Sequence, residues 1–320
     1  MRIYFLTVLI SVVAVFASSA QDEKIDLEKQ KALYLVSNAH FDTQWNWTVQ
    51  TSINNFVYNT LKDNIYLLDK YPDYVFNFEG AIKYMWMKEY YPAEYEKVKQ
   101  YIAQGRWNVA GSSIDANDVH VPSSESQLRN ILLGQNFYKS EFGKKSNDIF
   151  LPDCFGFSYT LPTIAAHAGL KGFSTQKLTW GSAYGIPFDI GVWQGVDGSS
   201  IYAALNPGEY IVGFDADLAT DTAQVNEIDR MGKETGLYVD YRYYGTGDRG
   251  GAPDEESVSY IAGMIRDTSK MHVIMSSTGA LWDKFSMEDK KKLPFYDGEL
   301  PLTMHGTGCY TSQAFLKYIN

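Results

Sequence analysis

The chain has 320 residues, 45% of them apolar and 21% charged, which is enough for a sizeable core and excludes a disordered or collagen-like chain. Its 28 Lys and Arg stand against 38 Asp and Glu, and a net charge of −10 lacks the basic footprint of a nucleic-acid binder. Aromatics reach 15%, which suits a ring-lined groove, and two cysteines, Cys154 and Cys309, cannot build a disulfide scaffold.

Residues 1–20 read as a cleavable leader. Arg2 is followed by a nearly unbroken apolar run from Ile3 to Phe16, then by the small residues Ser18, Ser19 and Ala20. The run is short for a membrane anchor, the other reading of such a segment. The protein is therefore expected to be exported (periplasmic, secreted or lumenal) with no membrane span left after cleavage. Residues 21–31 form a lead-in.

Strand-like and helix-like segments then alternate. Ala32 to Ser37 has no clean polar alternation, as expected of a strand buried on both faces. A helix is predicted from about Ser52 to Asp69, ended by Pro72. Tyr74 to Phe78 reads as a second strand. Pro92 opens a helix that Gly105 closes, and Trp107 to Ala110 reads as a third strand. After Pro122, Ser124 and Gln127 fit a capping box, with Leu128, Ile131 and Leu132 as the buried stripe and Gly143 as the stop. Asp148 to Leu151 reads as a fourth strand, and residues 171–205 look β-rich with a turn at Asp197-Gly198. Helical patterning returns after Asp254, and His272 to Met275 is a late strand. Repeated β-then-α units predict a (β/α)7-type barrel of parallel strands with outer helices over residues 32–305, with an open doubly wound sheet as the alternative. No G-x-G-x-x-G or Walker pattern follows any strand.

In such barrels the chemistry sits where strands end. The first strand runs into His40-Phe41-Asp42, whose imidazole and carboxylate are two residues apart and suit a metal site. The fourth runs into Pro152-Asp153-Cys154-Phe155-Gly156. Glu79, Asp115 and Asp118 follow the second and third strands, and Asp248 lies in a glycine-rich stretch, Tyr244 to Gly251. Glu79 alone reads as a satisfied loop carboxylate.

His40-Phe41-Asp42-Thr43-Gln44-Trp45 resembles the H-x-D-x-x-W signature of glycoside hydrolase family 38, the retaining α-mannosidases. Further blocks are similar in the same order: Gly105-Arg106-Trp107, Pro122 to Ser126, Pro152 to Ser158, Trp193 to Ser199 and His305 to Ala314. The resemblance implies one catalytic zinc ion (Zn2+) held by His40, Asp42 and Asp153, with Asp153 also the nucleophile. It implies Asp248 as candidate acid/base, and Trp45 and Asp118 as sugar contacts. The implied substrate is a mannose-containing oligosaccharide or glycoprotein glycan.

The sequence departs from the family in two respects. The family's fourth zinc ligand, a later histidine, has no counterpart here and is expected downstream of residue 320. Residues 306–320 read as the start of a helical bundle, which implies a fragment of a longer enzyme. Two other functions stay open: a metal-dependent carbohydrate deacetylase, although no H-x-x-x-H pair is present, and a catalytically impaired sugar-binding fragment.

Overall fold

The first strand, β1 (Ala32–Ala39), is buried at all eight positions, and both of its edges are paired. The computed structural model describes residues 25–304; the expected leader, 1–20, and the expected helical start, 306–320, lie outside the described residues. Along its whole length β1 pairs in parallel with β8 (Val239–Thr246). Its first half also pairs with β9 (His272–Met275), and Ser37 and Asn38 pair with β2 (Phe76–Glu79). β2 in turn pairs with β3 (Trp107–Ala110), again in parallel. Alternate side chains of β1 enter different cores. Leu33 and Leu35 pack with Phe76, Trp107 and the helices, whereas Tyr34 and Val36 pack with Phe150, Tyr241 and Trp282. Burial on both faces explains why the strand shows no polar alternation.

A second sheet has the order β10 (Phe295–Asp297), β6 (Ile190–Gln194), β7 (Ser200–Ala204), β5 (Gly172–Ser174) and β4 (Asp148–Phe150). β4, β5 and β7 are parallel; β6 returns antiparallel to β7 through the turn expected at Asp197-Gly198. The fold is thus a mixed α/β arrangement around parallel strands. The strands form two five-stranded ladders, and among the described residues no continuous ladder joins them into the expected barrel. Side-chain and loop bonds link the two where a ladder would run. Gly111 N and Ser112 Oγ donate to Asp148, and Tyr243 N and Gly245 N donate to the carbonyls of Pro207 and Val212. Gly245 has φ 147°, and a Cβ there would lie 2.1 Å from Asn38 O, so only glycine allows β8 this close to β1.

The helices lie outside. α1 (Val49–Thr51), a π-helical stretch (Ser52–Val57) and α2 (Tyr58–Lys70) form one continuous helix, and hydroxyls of Tyr91 and Thr60 take carbonyls of its π-helical part. α3 (Ala81–Tyr90) and α4 (Pro92–Ala103) follow β2, and α5 (Ser124–Phe142) follows β3. α6 (Leu161–His167) and α7 (Thr222–Thr235) precede β5 and β8. α8 (Glu255–Met264), α9 (Ala280–Lys284) and α10 (Met287–Lys292) complete the layer. Among the described residues no helix is long and apolar enough to cross a membrane.

α5 departs from expectation. Its N-cap is Ser123, whose side chain accepts from Ser126 N, and not Ser124. Gln127 makes no capping box; its amide donates to the carbonyls of Val119 and Pro122. Leu128 and Leu132 are exposed, and the buried face carries Ile131, Gly134, Gln135 and Tyr138. The cause is Gly134, where a Cβ would lie 2.4 Å from Ser112 O. The helix docks along the line that lets its backbone touch the loop after β3.

Candidate active site

His40 follows β1 directly and is 3% exposed. Its Nδ1 lies 3.0 Å from Oε1 of Glu79, the last residue of β2, and Lys83 Nζ lies 2.6 Å from the same oxygen. Burial favours the neutral imidazole, but the Glu79 carboxylate outweighs it and raises the His40 pKa. Burial likewise opposes charge on Glu79, but Lys83 and His40 prevail and bring its pKa down to about 2. On the other side of the ring, His40 Nε2 is buried without a hydrogen-bond partner, 4.0 Å from Asp153 Oδ2.

Asp153 sits in the loop after β4, and its other oxygen is ion-paired with the buried ammonium of Lys177. Lys177 begins a short 3-10 helix (Lys177–Trp180) after β5 and is held between aromatic rings. Its Nζ is 3.7 Å from the Trp180 ring centre and 4.9 Å from that of Phe155. Asp42 is half-buried. Burial pushes its carboxyl above the ordinary range, His40 opposes this, and Asp153 and Asp248 add to it as neighbouring negative charges. Asp248 follows β8 with φ 67°, a left-handed conformation uncommon for a residue with a side chain. It accepts a hydrogen bond from Tyr210 Oη at 3.2 Å. Burial, then the charges of Asp153 and Asp248, push the Tyr210 hydroxyl far above its ordinary value, so it stays a donor. The Tyr210 ring also meets the His40 ring edge-on at 5.3 Å.

Four of the predicted site residues, His40, Asp42, Asp153 and Asp248, thus form one electrostatic group at the carboxyl ends of β1, β4 and β8. Trp45 lies in the loop after β1, 61% exposed, with its ring 5.7 Å from that of Trp47. Asp118 engages its own turn, where Oδ1 accepts from the backbone N–H groups of His120 and Val121. Glu79, expected as a loop carboxylate, is instead the buried partner of His40. Sequence reasoning passed over Lys83, Lys177 and Tyr210. For Lys83 a cue existed, the four-residue spacing from Glu79; for Lys177 it was a lysine between a strand end and Trp180. Tyr210 had none.

The donor set fits zinc. Imidazole nitrogen and carboxylate oxygens are its usual ligands, and a histidine ligand commonly gives its other N–H to a carboxylate, as Nδ1 faces Glu79 here. The unpartnered, buried Nε2 is the atom such an ion would use. Among the described residues no three His, Cys, Asp or Glu side chains already stand at metal-holding distance.

Residues 30–299 match the sequence profile described as Glycosyl hydrolases family 38 N-terminal domain. The chain belongs to glycosyl hydrolase family 38. Among family 38 relatives, Alpha-mannosidase G of Dictyostelium discoideum is 33% identical over 292 residues, which is 91% of this chain. The Alpha-mannosidase of Saccharomyces cerevisiae is 31% identical over 296 residues, 89% of this chain. The chain spans only 26% and 27% of the length of those two proteins. An α-mannosidase from Enterococcus faecalis V583 shares the fold, with a TM-score of 0.64 at 20% identity, over 85% of this chain and 31% of that one. Membership of family 38 does not favour the deacetylase alternative.

Proposed function

We propose that this chain is the catalytic β/α portion of a retaining α-mannosidase that removes terminal α-mannose from oligosaccharides or glycoprotein glycans with the help of one zinc ion. One observation carries the reading: in a family 38 chain, a buried, unpartnered imidazole nitrogen faces Asp153 beside Asp42, with Asp248 in the same electrostatic group. We read β1, β2, β3, β4, β5, β7 and β8 as one seven-stranded barrel, supported by the bonds that link the two ladders at Asp148 and at Pro207 and Val212. Export by a cleaved leader at residues 1–20 belongs to the same proposal.

In this reading the Asp153 carboxylate attacks the anomeric carbon. The bond to the leaving oxygen breaks as Asp248 gives that oxygen its proton, and a glycosyl ester on Asp153 results. Asp248 then takes a proton from water, whose oxygen attacks the same carbon and frees Asp153. Tyr210 holds Asp248 by hydrogen bond, and Lys177 keeps a positive charge beside Asp153. His40, Asp42 and Asp153 would hold zinc, which supplies Lewis-acid grip on sugar hydroxyls. Trp45 offers an exposed ring for stacking, and Asp118 a carboxylate for sugar hydroxyls.

The test is hydrolysis of an aryl α-mannoside by the full chain, with zinc and with chelator, beside Asp153→Ala and Asp248→Asn. Zinc-dependent turnover that vanishes in Asp153→Ala is expected. Asp248→Asn should lose about 10²–10⁴-fold with poor leaving groups and much less with activated ones. Turnover that survives Asp153→Ala, or acetate released from an acetylated sugar in place of mannose release, would overturn the reading.

A further inference from the structure

Beneath His40 lies an ion pair that takes no part in the steps above. Glu79 and Lys83 are 1% and 0% exposed, and their Oε1 and Nζ are 2.6 Å apart. The Lys83 ammonium also lies 4.5 Å from the ring centre of Phe41 and 5.4 Å from that of Phe78. Both contacts of the carboxylate fall on Oε1, while Oε2 is buried with no partner. A pair this buried and this incompletely bonded is poor stabilisation, because apolar residues of similar volume often hold a core as well or better. Its geometry suits a different task. The strand end fixes Glu79, the first turn of α3 fixes Lys83, and the shared oxygen meets Nδ1 of His40 at 3.0 Å. With Nδ1 engaged there, Nε2 is the nitrogen left facing Asp153.

We infer that Glu79, with its charge balanced by Lys83, is a positioning residue that presents His40 Nε2 to the metal. The inference rests on the zinc-assisted reading above and assigns Glu79 and Lys83 a part in it. Lys83 keeps Glu79 an ionised acceptor at this depth, where a lone carboxylate would be costly. Glu79 keeps the Nδ1 side occupied, so that the lone pair is offered at Nε2.

The experiment measures zinc affinity of the full chain by competition with a chromophoric chelator, together with thermal unfolding of the metal-free protein. Wild type, His40→Ala and the double variant Glu79→Leu with Lys83→Met are compared. The double variant removes both charges and the acceptor facing Nδ1, with little change of volume. It is expected to melt within a few degrees of wild type yet bind zinc about 10–100-fold more weakly. A double variant with wild-type zinc affinity would show a purely structural pair and overturn the inference while leaving the zinc reading intact. Absence of saturable zinc binding in wild type, or unchanged binding in His40→Ala, would overturn the zinc reading and the inference with it. Should the double variant not fold, Glu79→Asp decides by the same criterion, since it retains both charges but draws the carboxylate back from Nδ1.

Discussion

Lys177 is the lysine paired with the proposed nucleophile, and it is 2% exposed. A cation that deep is held by what surrounds it. Here the Trp180 and Phe155 rings supply π-faces, and Asp153 supplies the counter-charge. Lys177 would therefore serve both to keep Asp153 in place and to balance its charge. Lys177→Met keeps most of the volume and removes the charge. It is expected to lower kcat for an aryl α-mannoside about 100-fold, the scale of one misplaced group at a reacting centre, with a smaller change in KM. Lys177→Arg, which restores the charge, should keep more of the rate. Equal losses in the two variants would mean that shape, not charge, is what the site needs.

At the scale of elements, strands proved easier to read than helix faces. β1, β3, β4 and β9 lie within a residue or two of expectation, because short apolar runs bounded by turn residues have little else to become. α7 and β8 escaped notice. β8 carries Asp240 and Arg242 among its tyrosines, so its buried character is broken by charge, and its depth is visible only once its neighbours are assembled. α5 failed for another reason. Ser123, Ser124 and Ser126 offer three similar caps, and the leucines suggest a stripe that the close approach at Gly134 overrules. This correction can be tested. Ser123→Ala removes the acceptor for Ser126 N and should cost about 1 kcal/mol in urea unfolding, whereas Ser124→Ala should change stability by only a few tenths. The reverse order would return the cap to Ser124.

For the molecule as a whole, the residues proposed to react were legible in the sequence and the side chains that contact them were not. His40, Asp42, Asp153 and Asp248 sit at strand ends, where topology alone puts them at one mouth. Glu79, Lys83, Lys177 and Tyr210 matter through contacts that cross strands, and such charge balance has no signature along the chain. Asp240 extends this logic to global stability. It is buried in β8, accepts from Gln224 Nε2 of α7 at 2.7 Å, and so joins sheet to helix. Burial pushes its pKa up to about 6, against the pull of Arg242 and Gln224. The folded protein thus holds this proton more tightly than the unfolded chain, whose value is 3.8. Below the unfolded value both states are protonated and nothing is lost. As pH rises from there through about 6, stability falls, by about 3 kcal/mol in full. Wild type alone cannot isolate the effect, because a chain of net charge −10 also repels itself increasingly as its acids ionise. The comparison with Asp240→Asn removes that common contribution. The variant retains an amide oxygen for Gln224 and has no proton to lose. Its melting temperature relative to wild type should therefore rise between pH 4 and pH 7.5. A gap that stays constant across that interval would mean that Arg242 keeps Asp240 ionised in the folded state at little cost.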